Sequence, residues 1–116
     1  MSSSCEPGFA EQLLADLPVE DVRRVLMVFS ADLPRLVGEI ADAAKAGDGE
    51  ALRKSAHALA GAAGAVGADG LDEACRAAML DIKANEATLL AHQAVIETQA
   101  AIAAAALTRV LNTLDS

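Results

Sequence analysis

Tryptophan and tyrosine are absent, and Phe9 and Phe29 are the only aromatics among 116 residues. β-branched residues are scattered while alanine and leucine abound, so a sheet is disfavoured and an all-helical protein is expected. Basic residues are scarce: nine Lys and Arg stand against seventeen Asp and Glu, for a net charge of -8. Nucleic acid and anionic membranes are bound through clustered Lys and Arg, so both are excluded as partners and another protein is favoured. Cysteine is limited to Cys5 and Cys75, which with His57 and His92 form no metal-ligand spacing, so neither a metal nor a cofactor is expected. The first eight residues carry neither a basic region nor an apolar run, which argues against a secretory leader and for a reduced, cytoplasmic setting. The longest apolar run, Ala100 to Leu107, falls short of the ~20 residues that cross a bilayer, so no transmembrane segment is expected.

What the chain does have is helical periodicity. Residues 1–8 read as a flexible tail, followed by a single domain over 9–116. Phe9, Leu13, Leu14 and Leu17 recur at helical spacing until Pro18, marking a short first helix. Pro18 suits the first turn of a second helix, whose stripe is Val22, Val25, Leu26, Phe29, Leu33, Leu36, Ile40 and Ala44, ending at Gly47. Pro34 lies inside it and predicts a bend rather than a break. Asp48 is placed to cap a third helix reaching Gly67, and Asp69 to cap a fourth with Leu71, Ala74, Cys75, Ala78 and Ile82 inward. A last helix runs from about Glu86 to Leu114 on Leu89, Ile96, Ala100, Ala103, Leu107, Val110 and Leu114. Four substantial helices with short connections predict an antiparallel, up-down four-helix bundle with a short additional N-terminal helix.

The third helix holds the one stretch with chemical content, Ser55 to Gly67. On a helical wheel Leu52, Ala56, Leu59, Ala63 and Val66 form the core face, and His57 lies about 140° from its centre beside Lys54, Gly61 and Gly64. Arg53 and Ala60 sit at the edge of that outward face. Each helix-interior glycine costs roughly 1 kcal/mol relative to alanine, so a bare surface around an exposed imidazole points to the close approach of something large. A neutral imidazole nitrogen is a nucleophile toward phosphorus near pH 7 without an auxiliary base. The Gly-x-x-Gly-x-x-Gly spacing is not a phosphate loop, because no strand precedes it and no Gly-Lys-Ser/Thr closes it. His92, beside Gln93, reads as a solvated or boundary residue.

The run Ala56-His57-Ala58-Leu59-Ala60-Gly61, then Val66-Gly67-Ala68 and Leu71 to Cys75, resembles the histidine phosphotransfer (HPt) domain pattern. Phe29 to Leu36, with Asp32-Leu33-Pro34, and Ala46-Gly47-Asp48 are similar to that family's second helix and following turn. The resemblance implies that His57 accepts a phosphoryl group from the aspartyl phosphate of a receiver domain and relays it to another receiver. It implies a monomeric carrier rather than an enzyme, with the receiver supplying magnesium and most catalytic groups. Gly61, Gly64, Ala60 and Met79 are then docking positions, and Lys54, Arg53, Arg76 and Lys83 are candidates to stabilise the phosphoryl oxygens. Two positions depart from the pattern: Ala60 stands where the family has lysine, and Met79 aligns with a polar position that is often glutamine. These departures raise an alternative, a module that docks receivers without carrying phosphate. A third reading is a structural protein that assembles through its alanine-rich last helix.

Overall fold

A computed structural model describes residues 8–115, so the expected tail lies outside the described residues apart from Gly8. Five helices follow in order: α1 (Glu11–Asp16), α2 (Val19–Lys45), α3 (Gly49–Val66), α4 (Asp69–Leu80) and α5 (Glu86–Asp115). Helix α2 packs on α3, α3 on α4, α4 on α5 and α5 back on α2, closing a four-helix bundle, while α1 rests against α2 and α3. The connectors 46–48, 67–68 and 81–85 are too short for anything but antiparallel neighbours.

The core follows the sequence stripes closely. Val22, Leu26, Phe29, Leu33, Leu36, Ile40, Leu52, Ala56, Leu59, Ala63, Val66, Leu71, Cys75, Ile96 and Ala103 are all buried, and among the described residues no polar or charged side chain is buried with them. Each fully buried leucine or isoleucine contributes about 1.5–3 kcal/mol relative to exposure. The alanines set the spacing: Ala56, Ala63, Ala78 and Ala103 are essentially inaccessible, so backbones meet where larger side chains would hold them apart.

Side chains cap two of the helix starts. The Asp48 carboxylate accepts from Ala51 N at 3.0 Å, as the sequence predicts. Asn85 caps α5 by accepting from Thr88 N at 2.9 Å. Pro18 flanks α2 at its N-cap, one residue ahead of the first turn, and α2 continues unbroken through Pro34. Asp69, expected as the cap of α4, is instead its first helical residue, and Ala68 occupies the cap position without a side-chain bond. Ile82, expected in the buried stripe, is 71% exposed because α4 stops at Leu80. The stop has a visible cause, since Asp81 leaves helical geometry and its carboxylate meets His92 Nε2 of α5 at 2.9 Å.

At the α3–α4 corner Gly67 adopts φ +76, and a methyl there would strike the Gly8 carbonyl. Ala10 N donates to Val66 O at 2.7 Å, and Phe9 is buried with its ring 6.2 Å from that of Phe29. Residues 8–10 thus fasten α3's end to the bundle. Helix α5 is long and apolar enough, by length and composition alone, to cross a bilayer. The longest-run criterion misses this because polar residues interrupt its apolar stretches. Here Leu89, Ile96, Ala100, Ala103, Ala106 and Leu107 are buried in the bundle.

Candidate functional site

His57 projects from the middle of α3, exposed, with its Nδ1 3.2 Å from Met79 Sδ on α4. Among the described residues Nε2 has no hydrogen-bond partner. The site is therefore an imidazole steadied through one nitrogen and open at the other. Its surroundings are low: Ala58, Gly61, Gly64 and Ala65 are all exposed. A Cβ added at Gly61 would meet nothing within 4 Å, and one at Gly64 would meet only Asp72 Oδ2, at an ordinary 3.7 Å. Packing within the molecule therefore requires neither glycine, although each weakens the helix.

A groove of about 340 Å³ lies between α2 and α3, lined by the apolar Val25, Val28, Phe29, Ala62, Ala65 and Val66 together with Arg24 and Asp32. Val28 is 57% exposed and its neighbour Met27 is exposed as well. The sequence stripe of α2 did not single them out; their signal was two large apolar residues off the buried stripe.

The contacts His57–Met79 and Gly64–Asp72 belong to one antiparallel register of α3 against α4. In that register Arg76 stands opposite Ala60, one turn before Met79. The Arg76 Nε donates to Asp72 Oδ1 at 2.8 Å, which holds the exposed guanidinium against the carboxylate that faces Gly64. Ala60 departs from the docking role expected of it. It is only 5% exposed and belongs to the core, so it offers no surface to a partner.

The other cations are distributed unevenly. Lys54 is exposed one turn before His57 on the same face. Arg53 turns the other way: its Nη1 lies 2.9 Å from where a Cβ of Gly49 would stand, at the start of α3 and away from His57. Lys83 is exposed in the connector past the end of α4. Cys75 is buried one turn before Met79, and burial first, then the charge of Asp72, pushes its thiol up to about 12. A thiol so held stays protonated and does no chemistry at neutral pH.

Residues 24–115 match the Hpt domain family, a span that takes in most of α2 and all of α3, α4 and α5. The chain belongs to the Hpt domain family. No curated protein and no solved structure matches it. Hpt domains are phosphocarrier modules of two-component signalling, rather than enzymes, and they interact with receiver domains. The fold of this Hpt domain, a helical bundle, is the one the family has.

Proposed function

We propose that this Hpt domain carries a phosphoryl group on Nε2 of His57, taken from the aspartyl phosphate of one receiver domain and passed to another, as a monomer in the cytoplasm. The observation that carries this reading is the pairing of an open Nε2 with Gly61, whose missing side chain serves nothing inside the molecule. In-line transfer between two proteins demands that donor oxygen, phosphorus and Nε2 align, so the surface around the nucleophile must admit another protein face. The bare stretch Ala58 to Ala65 supplies that clearance, and the groove at Val28 supplies apolar area for the partner.

Arg76 takes the part of the family's lysine, reaching the phosphoryl oxygens from α4 where Ala60 on α3 has no charge to offer. To do so Arg76 exchanges its exposed pairing with Asp72 for the phosphoryl oxygens, and Lys54 adds positive charge from the preceding turn of α3. The test is to mix the protein with radiolabelled, phosphorylated receiver domains. Label should appear on the wild type in acid-labile form and be lost in His57→Gln; label that persists on His57→Gln, or never reaches the wild type, refutes the relay.

Ala60 also favours a second reading, a module that docks receivers without accepting phosphate. Receiver binding that survives His57→Gln, with no phosphohistidine at any receiver tested, would select it.

A further inference from the structure

The contact between His57 and Met79 has chemical direction. A thioether sulfur accepts a hydrogen bond and has no proton to donate. With Sδ 3.2 Å from Nδ1, the ring is held favourably only when Nδ1 carries the proton, for otherwise two lone pairs face each other. A hydrogen bond at one imidazole nitrogen decides which nitrogen is protonated, so Nε2 is left with its lone pair, on the side open to solvent.

We infer that Met79 is a positioning residue that keeps the His57 proton on Nδ1 throughout the transfer cycle, so that phosphoryl groups arrive and leave without any proton moving. This deepens the carrier reading and rests on it. On loading, the Nε2 lone pair forms the N–P bond while the P–O bond to the donor aspartate breaks, its electron pair going to the carboxylate. The ring becomes a cation bearing phosphate on Nε2 and hydrogen on Nδ1, still donated to Sδ. On unloading, the N–P electron pair returns to Nε2, phosphorus bonds to the acceptor carboxylate, and the starting neutral ring is restored.

The acceptor-only partner matters most in the loaded state. Losing the Nδ1 proton would set a bare nitrogen against sulfur, so Met79 disfavours the unprotonated phosphohistidine. With that proton in place, the ring departs from phosphorus as neutral imidazole; without it, the leaving group is an anion and departs reluctantly. A carboxamide would be indifferent, because it can turn either to accept from Nδ1–H or to donate to a bare Nδ1, whereas a thioether can only accept. Met79 therefore suits this domain to rapid discharge rather than storage.

Two measurements on the full chain test this, both at one fixed pH near neutrality. NMR of nitrogen-labelled histidine rings, with His92→Gln used to assign the spectra, should show His57 with hydrogen on Nδ1, and Met79→Leu should move the tautomer ratio toward Nε2–H by about fivefold, the size of one net hydrogen bond. A wild-type ring with hydrogen on Nε2, or a ratio indifferent to Met79→Leu, overturns the assignment. After chemical phosphorylation with phosphoramidate, Met79→Leu, which removes the acceptor and adds no donor, should hold phosphohistidine about fivefold longer than wild type. Equal lifetimes, or a shorter one, overturn the discharge role. Thermal melting of each variant checks that the bundle is intact. If no variant takes phosphate, the carrier reading fails, while the ring spectra still decide whether Met79 sets the tautomer.

Discussion

His57 and His92 are each held through one ring nitrogen, but by opposite ends and by partners of opposite character. His57 has Nδ1 against a thioether on the neighbouring helix and Nε2 without a partner among the described residues. His92, half-buried, has Nε2 occupied by the Asp81 carboxylate, at the point where α4 ends and α5 passes. The side chain is the same; what differs is which nitrogen remains for outside chemistry. His92 is engaged in holding a joint, and His57 is steadied without being consumed. What distinguishes the two histidines is thus which nitrogen a neighbour occupies.

That contrast can be broken most decisively by substitution. His57→Gln should abolish label transfer from a phosphorylated receiver, whereas His92→Gln should transfer at close to the wild-type rate; comparable losses in both would erase the distinction. Next in size is Arg76→Ala, expected to slow transfer roughly tenfold, the scale of one charge-assisted hydrogen bond, with little change in melting temperature. The corresponding Lys83→Ala should leave the rate nearly unaltered, because that side chain sits past the end of α4. His92→Gln should in turn lower stability in urea by up to about 1 kcal/mol, since a partly exposed pair contributes little more. Smallest of all, Gly61→Ala should raise stability by at most about 1 kcal/mol with transfer intact, whereas Gly61→Phe at the same open position should fold and fail to dock. A Gly61→Phe variant that transfers normally would show that the bare face is not where the partner sits.

The bundle was readable because its stripes are long and its corners carry their own signals. The inward face of α3, the Asp48 cap and the extent of α5 all follow from spacing and local bonding. The end of α4 was not readable. Ile82 continues the apolar period, and only the tertiary pairing of Asp81 with His92 marks where the helix stops. The same limit applies at the site. The exposure of His57 follows from a helical wheel, but its contact with Met79 and the placing of Arg76 opposite Ala60 depend on the register between two helices. Arg53 illustrates the reverse error: its position on α3 faces the site, while its long side chain folds back over Gly49, where no bulk resists it.

The fastening of residues 8–10 onto the α3–α4 corner bears on how this domain can be moved or cut. The family match begins at Arg24, yet Phe9 stacks near Phe29 and the Gly8 carbonyl occupies the space above Gly67. A fragment trimmed to the matched span would leave an apolar scar on α2 and an uncovered carbonyl at Val66, the last residue of the helix that carries His57. The matched span and the packed unit therefore have different lengths. Anyone grafting this domain into a synthetic relay should take its boundary from the clasp and not from the family.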